Sequence, residues 1–243
     1  MLKLVCFLHR KAELDPTEFH GHWRDRHGPL IADRPTLAQH VVRYEQNPRL
    51  NSDYERDGSS EIDEFDGATI MWFESLAAYH AYAMDPVYEA EIAPDEARFL
   101  DRARTTWFLS HEAERKIGDA ASEARAEVKL LALLKRRSDL SAEAFHAHWS
   151  GPHGDLFRNT PALADTILAY QQNHRAELDY ERDPEFPFDG MAEQWYASLD
   201  AFYAGAGGAP FTEVVVPDEE RFMDRAATRF ILCEPPRVVL GGA

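Results

Sequence analysis

A sixteen-residue stretch near the start of the chain recurs 126 residues later. The first copy, residues 15–30, reads DPTEFHGHWRDRHGPL, and the second, residues 141–156, reads SAEAFHAHWSGPHGDL. Phe, His, His, Trp, His, Gly and Leu keep the same internal positions in both copies. A long-period repeat of this kind indicates that one supersecondary unit occurs twice, so the fold of a single unit has to be worked out first.

Each copy is predicted to have the order βαββαβ. Apolar runs typical of buried strands alternate with segments of helical spacing, and this order is that of the ferredoxin-like unit. In the first copy we predict strands at residues 2–9, 39–46, 68–73 and 103–111, with helices from Asp15 and from Ser75. The second copy repeats them with strands at 128–135, 167–173, about Trp195 and 226–233.

A ferredoxin-like sheet with helices on one side leaves its other face apolar and bare. Burying two such faces against each other stabilises both, at roughly 25 cal/mol per Å² of apolar surface. Fusing the copies makes that contact intramolecular. We therefore predict an α+β fold: two ferredoxin-like βαββαβ repeats packed sheet-to-sheet as a pseudo-dimeric α+β barrel. The predicted boundaries are 1–113 for the first repeat, 114–127 for a linker, 128–236 for the second repeat and 237–243 for a C-terminal tail.

The repeated stretch is predicted to be a helix with histidines around a buried stripe. Asp15 and Ser141 are good N-cap residues. At about 100° per residue, Phe19 and Trp23 share the buried face. His20 and His27 then lie on one flank and His22 on the other. Such histidines either contact a ligand or make structural hydrogen bonds, and the pattern lacks the i,i+4 His pair of helical zinc motifs.

Composition excludes several classes of partner. The net charge of −17 disfavours nucleic acid and anionic membranes, which repel an acidic surface. No apolar run approaches the roughly 18 residues that span a bilayer, and no signal-peptide pattern is present. Only two cysteines occur, both in strand-like runs, which is typical of reduced thiols in a cytoplasmic protein. We expect a cytoplasmic location and a small-molecule substrate.

The helix pattern F-x-x-HW-x-x-x-HG-P-L after a first strand resembles the EthD members of the dimeric α+β barrel superfamily. The resemblance covers nearly the whole chain, once per repeat. It implies a barrel pocket and relatives that are cofactor-free isomerases, cyclases, dehydratases or decarboxylases of small aromatic, lactone or polyketide substrates. Others in the wider superfamily bind haem. The second copy departs from the pattern, with Gly154-Asp155-Leu156 where the first has Gly28-Pro29-Leu30. Whether one or both repeats keep a working site is therefore open.

Candidate site residues come from the histidines and from polar strand positions. Glu193 replaces Ile70 in mid-strand, and a buried carboxylate there would have its pKa raised into the range useful for acid–base chemistry. The candidate catalytic residues are His27, His153, Glu193, Tyr44 and Tyr170. The candidate substrate-binding residues are Trp72, Trp195, Gln46, Gln172, His22 and His148.

The predicted mechanism is proton transfer on a planar, enolisable ligand. A histidine, preferably His27, or Glu193 moves the proton, while Tyr44 or Tyr170 hydrogen-bonds a carbonyl or phenolate oxygen. No Gly-rich phosphate loop follows a strand, which argues against a nucleotide cofactor. We expect no cofactor and no metal, and either a monomeric pseudo-dimer or a homodimer. The alternatives are a non-catalytic ligand carrier, an oxygenase accessory protein and a haem-binding barrel protein.

Overall fold

The chain forms two ferredoxin-like units, as the duplication predicts. The computed structural model describes residues 1–56 and 65–241. Unit 1 comprises residues 1–112 and 236–243, and unit 2 comprises residues 113–235. The ten strands in the described part of the chain are β1 (Leu2–Leu8), β2 (Arg43–Pro48), β3 (Gly67–Phe73), β4 (Thr106–His111), β5 (Glu114–Ile117), β6 (Val128–Leu134), β7 (Ala169–His174), β8 (Gly190–Tyr196), β9 (Arg229–Cys233) and β10 (Arg237–Leu240).

Each unit has one five-stranded antiparallel sheet. The strand order is β10-β2-β3-β1-β4 in unit 1 and β5-β7-β8-β6-β9 in unit 2. Without β10 and β5, the remaining four strands of each sheet follow the ferredoxin-like order, which confirms the predicted α+β, ferredoxin-like fold of each repeat. The register pairs Leu4 with Met71 in unit 1 and Leu130 with Gln194 in unit 2.

The fifth strand of each sheet was not predicted. Strand β5 follows β4 directly along the chain but pairs with β7 of unit 2, and β10 follows β9 but pairs with β2 of unit 1. The sequence predicts a linker without strands over residues 114–127, and β5 lies within it. The four-residue strand β5 gives little alternation signal, because its one buried side chain is Lys116, which donates to Ser150 O at 2.6 Å.

Helices cover one face of each sheet. Pro stands at the first or second position of several of them, where its missing N–H costs nothing. The predicted N-cap Asp15 forms a capping box with Glu18, since Glu18 N donates to Asp15 Oδ1 at 2.8 Å and Asp15 N donates to Glu18 Oε2 at 3.0 Å. The α-helices are α1 (Pro16–His22), α2 (Gly28–Ala32), α3 (Pro35–Ala38), α4 (Leu76–Ala83), α5 (Ala93–Phe99), α6 (Ala120–Glu123), α7 (Ala142–His148), α8 (Gly154–Asn159), α9 (Pro161–Ala164), α10 (Glu177–Arg182), α11 (Leu199–Gly207) and α12 (Val216–Phe222).

A π-helical turn interrupts the repeated helix in both units. It spans Trp23–His27 in unit 1 and Trp149–His153 in unit 2. The N–H of Gly28 donates to Trp23 O, five residues back. Further π turns, Tyr88–Ile92 and Phe211–Val215, lead into α5 and α12. Such turns are rare in proteins, and those that do occur are often found at functional sites.

The glycine that opens β3 and β8 is required by a close approach of the helix. A Cβ at Gly67 would lie 2.8 Å from Cζ3 of Trp23, and one at Gly190 would lie 2.6 Å from Cζ3 of Trp149. Neither glycine has a positive φ. The duplicated Gly therefore lets the helix tryptophan rest on the strand.

Among the described residues, no helix has the length and apolar character needed to cross a bilayer. Asp57 of the repeated Tyr-Glu-Arg-Asp segment and the last two residues of the predicted tail lie outside the described residues.

Candidate functional site

Two histidines and an aspartate form a hydrogen-bonded triad in unit 1. His22 Nε2 lies 3.0 Å from Asp95 Oδ1, and His27 Nδ1 lies 3.0 Å from Asp95 Oδ2. His22 is the last residue of α1 and His27 is the last residue of the π turn, so the two are five residues apart. The i→i+5 hydrogen bonding of a π turn brings residues five apart to the same side of the helix, so both imidazoles face the same carboxylate.

The predicted position of His22 was wrong, because the π turn places it on the same side as His27. At α-helical spacing His20 and His27 would share a flank, with His22 opposite. In the structure His20 lies apart from the triad, and its Nε2 is 2.8 Å from the carbonyl oxygen of Asp66. The prediction failed because it assumed an uninterrupted α-helix through residue 27.

Unit 2 contains the same triad. His148 Nε2 lies 3.0 Å from Asp218 Oδ1, and His153 Nδ1 lies 2.9 Å from Asp218 Oδ2. Asp218 lies in the first turn of α12, as Asp95 does in α5. The departure at Asp155 therefore leaves the triad geometry intact.

The carboxylate determines which nitrogen of each neutral imidazole carries the hydrogen. Burial alone would raise the pKa of Asp95 and of Asp218, but the histidine hydrogen bonds outweigh burial and hold each pKa below its ordinary value. An ionised carboxylate can only accept hydrogen bonds, so each histidine nitrogen that contacts it must donate. His27 and His153 in their neutral forms then carry hydrogen on Nδ1 and a lone pair on Nε2.

Burial also favours the neutral form of His153. It lowers the pKa of this imidazole, against the opposing effect of Asp218. A neutral imidazole with a free Nε2 lone pair is the form that can accept a proton.

Each unit has a cavity between its sheet and its helices. The unit 1 cavity is about 280 Å³ and the unit 2 cavity about 290 Å³. His27 lines the first and His153 the second, so Nε2 is the imidazole nitrogen that a bound molecule can reach. Apolar and aromatic side chains make up most of both linings, as in small-molecule sites.

Tyr170 offers a hydrogen-bond donor to the unit 2 cavity. Its hydroxyl oxygen accepts from Gln172 Nε2 at 2.9 Å and from Trp149 Nε1 at 3.0 Å. These bonds use both lone pairs of the oxygen, and no acceptor for the hydroxyl hydrogen occurs among the described residues. Burial raises the pKa of Tyr170, so the hydrogen stays on the oxygen at neutral pH.

Tyr44 occupies the same position in unit 1. Its hydroxyl accepts from Gln46 Nε2 at 3.1 Å, and burial raises its pKa to about 12. The two glutamines are clamps within the protein, since Gln46 Nε2 also donates to Trp23 O at 2.8 Å and Gln172 Nε2 to Trp149 O at 2.8 Å. Each amide thereby ties β2 or β7 to the start of the π turn.

Seven predicted site residues do not line the cavities: His22 and His148 belong to the triads, Gln46 and Gln172 form the clamps, and the other three are Trp72, Trp195 and Glu193. Trp72, Trp195 and Glu193 are on the opposite face of their strands from the cavity-lining positions, because side chains alternate along a strand. Glu193 forms an ion pair with Lys129, with Nζ 2.6 Å from Oε2, and accepts from Asn173 Nδ2 at 2.7 Å. The structure therefore brings His27, His153, Tyr44 and Tyr170 to cavities and leaves Glu193 outside them.

Sequence reasoning missed the acidic members of the site. Asp95 and Asp218 complete the triads, and the residues that follow them, Glu96 and Glu219, line the cavities. The signal was the duplicated Asp-Glu pair, which helical spacing alone did not connect to the histidines. In the described part of the chain, no group of side chains is arranged to hold a metal ion.

The sheet order of each unit is that of the ferredoxin-like α+β class of proteins. The EthD domain model matches residues 11–103 and 137–226, so the chain belongs to the EthD family, with one domain in each unit. No curated protein matches the chain.

Solved structures share the fold at low sequence identity. An anthrone oxidase-like protein is 9% identical, with 100% of this chain and 93% of that chain covered at a TM-score of 0.60. A candidate monooxygenase from Lactobacillus acidophilus NCFM is 12% identical, with 100% and 97% covered at 0.53. A candidate chlorite dismutase is 7% identical, with 96% and 94% covered at 0.51.

Proposed function

We propose that this protein is a cofactor-independent lyase, isomerase or cyclase that moves a proton on a small aromatic, lactone or polyketide-like substrate. The observation that carries the proposal is the imidazole of His27 and of His153, which lines a cavity and is bonded through Nδ1 to a buried carboxylate. A positioned base of this kind contributes about 10²- to 10⁴-fold to proton-transfer rates.

The reaction would begin at a carbon next to a carbonyl. Nε2 of the histidine takes the proton from that carbon, and the electron pair moves onto the carbonyl oxygen as an enolate. The imidazolium that forms is stabilised by the aspartate across Nδ1. In unit 2 the Tyr170 hydroxyl donates to the developing oxyanion, which is the type of electrostatic stabilisation that lowers such barriers.

The second half of the reaction returns the proton. Transfer from Nε2 to a different carbon gives isomerisation, and transfer to a leaving hydroxyl oxygen gives dehydration. Both outcomes conserve the proton and need no electron acceptor. The apolar lining strengthens these charge interactions because it excludes water.

Deuterium incorporation tests the proposal. In D₂O we expect the protein to speed exchange at the carbon next to the carbonyl of 1-indanone or 2-tetralone, or to isomerise α-angelica lactone, followed by NMR. The double variant His27→Asn, His153→Asn should lower the catalysed rate about 10²- to 10⁴-fold. His80→Asn, at an exposed position, is the matched control and should keep the rate.

The single variants separate the two units, because each leaves the other histidine in place. Absence of exchange above buffer with every probe would contradict the proposal and favour a ligand carrier. Exchange that survives in the double variant would place the base elsewhere. An absorption band near the Soret region in the purified protein would instead favour a haem protein, and oxygen uptake during exchange would indicate an oxygenase.

A further inference from the structure

The two cavities have nearly the same volume but different linings. Tyr79, Tyr88 and Trp107 of unit 1 correspond to Phe202, Phe211 and Phe230 of unit 2, each 123 residues later. These three substitutions remove polar hydrogen atoms from the unit 2 lining, while Gln194 stands at the position of Met71 and its Oε1 accepts from the Tyr196 hydroxyl at 2.6 Å. The polar groups that remain in unit 2 consequently decide what that cavity can recognise.

One of these substitutions changes the partners of a cavity glutamate. In unit 1 the Tyr88 hydroxyl donates to Glu96 Oε1 at 2.8 Å, and Arg102 Nε lies 3.4 Å from Oε2. In unit 2 Arg225 Nε lies 2.8 Å from Glu219 Oε2. Phe211 has no hydroxyl to offer, so Glu219 Oε1 has no hydrogen-bond partner among the described residues.

Glu219 is nonetheless as buried as its counterpart. Its side chain is 15% exposed and that of Glu96 is 16% exposed. Because the side chain is mostly shielded from water, an oxygen without a protein partner gains a favourable hydrogen bond when a bound molecule supplies a donor. Both glutamates line their cavities, so the unused oxygen is available to a molecule bound in unit 2.

We propose that Glu219 recognises a hydroxylated aromatic ligand in the unit 2 cavity by accepting a hydrogen bond from its hydroxyl group through Oε1. Unit 1 lacks this recognition because Tyr88 already fills the equivalent position on Glu96. The two cavities of one chain therefore differ in specificity, and the unit 2 cavity selects phenols. This inference concerns the unit 2 pocket of the proposed function, but it rests on ligand binding and not on turnover.

The charged groups around Glu219 are compatible with a hydrogen bond between its carboxyl group and a phenol. Burial raises its pKa to about 7, with Asp218 and Glu220 adding to the rise and Arg225 opposing it. Three other titratable groups line the cavity: the imidazole of His153 and the phenols of Tyr170 and Tyr196.

Methionine methyl groups report on the two cavities separately. Met71 lines the unit 1 cavity and Met223 the unit 2 cavity, and the chain has five methionines in all. We would label the full chain with ¹³C at the methionine methyls and titrate it with 2-naphthol and, as the probe without a hydroxyl, with naphthalene. The readout is the ratio of the two dissociation constants at each methyl signal.

Reciprocal variants test the proposal. Phe211→Tyr supplies Glu219 with the donor that Glu96 has, so the preference for 2-naphthol over naphthalene at Met223 should fall about threefold to tenfold. Tyr88→Phe frees Glu96, so the preference at Met71 should rise by a similar factor. Glu219→Ala should reduce the preference at Met223 and leave naphthalene binding within about twofold.

The proposal would be overturned if the preference at Met223 were unchanged in Phe211→Tyr and Glu219→Ala, or if both probes lost affinity equally. It would also be overturned if 2-naphthol bound at Met71 alone. These outcomes are independent of deuterium exchange, because a chain without turnover still binds or fails to bind the probes. Failure of the proposed reaction and failure of this inference are thus distinguishable.

Discussion

A carboxylate that accepts from two imidazoles fixes which nitrogen of each ring holds the proton. In both units the aspartate uses one oxygen for each histidine, so neither ring can rotate without losing a hydrogen bond to an ionised group. Such bonds are stronger than neutral ones. At the scale of single residues, this arrangement orients the histidine that lines the cavity, as the proposed role of a base requires.

The protonation of His153 should appear in the pH dependence of stability. Burial lowers the pKa of this imidazole from its ordinary 6.5. Just below pH 6.5, His153 is therefore protonated in the unfolded chain but still neutral in the folded chain. The contribution is fully present above pH 6.5 and is lost as the pH falls below that value. We expect the free energy of unfolding in urea to decrease from pH 7.5 to 5, with a slope from this residue of at most about 1.4 kcal/mol per pH unit.

His153→Asn is the test of that expectation, since it removes the titrating group. Its unfolding free energy should vary less between pH 7.5 and 5 than that of the unaltered chain. Both proteins should lose stability further below pH 3.8, because the lowered pKa of Asp95 depends on His27 and His22, which both proteins keep. An identical slope in both proteins above pH 5 would contradict the assignment of His153.

The sequence alone distinguished single residues by whether they recur in both repeats. His27, His153 and Tyr170 stood out because they recur, and they line the cavities. Glu193 stood out because it does not recur, yet it lies on the other face of its strand in an ion pair with Lys129. Its partner could not be identified from periodicity, which gives the face of a strand but not the residue across it.

At the scale of elements, the π turn is the feature that positions the site. It places two histidines five residues apart on one carboxylate, and the glutamine clamp from the neighbouring strand holds its first carbonyl. Helical spacing predicts the element but cannot reveal one extra residue in a turn. The order of four strands in each sheet, in contrast, followed from the predicted element order βαββαβ, whereas the pairing of β5 and β10 did not.

The C-terminal strand β10 should stabilise unit 1, although it lies at the far end of the sequence. It pairs with β2, and Val239 and Leu240 pack against the buried cluster that contains Ile31 and Leu37. Ending the chain at Pro235 removes these contacts, and we expect unit 1 to lose about 2 kcal/mol of unfolding free energy.

Methionine methyl signals during urea unfolding provide the measurement. Met71 should report a lower midpoint after the truncation, while Met223 of unit 2 should report an unchanged one. A chain that ends at Gly241 keeps β10 and serves as the control. Equal loss at both methyls, or no loss at Met71, would contradict the role of β10.

At the scale of the whole molecule, one chain carries the same triad twice beside two different linings. The sequence predicted the duplication and the fold class, because both depend on patterns repeated along the whole chain. It did not predict the triads or the two different cavities, because these depend on contacts between residues 65 to 73 positions apart. The duplication therefore keeps the triad geometry constant, while the cavity linings differ.

The central claim is that each unit presents a histidine base with a free Nε2. Imidazole ¹⁵N NMR of the whole chain at neutral pH measures it directly, because protonated and unprotonated ring nitrogens have well-separated shifts. We predict hydrogen on Nδ1 and a lone pair on Nε2 for the neutral rings of His27 and His153, and the reverse for His22 and His148. Hydrogen on Nε2 with a bare Nδ1 at His27 and His153 would contradict the account, since the base would then face the aspartate and not the cavity.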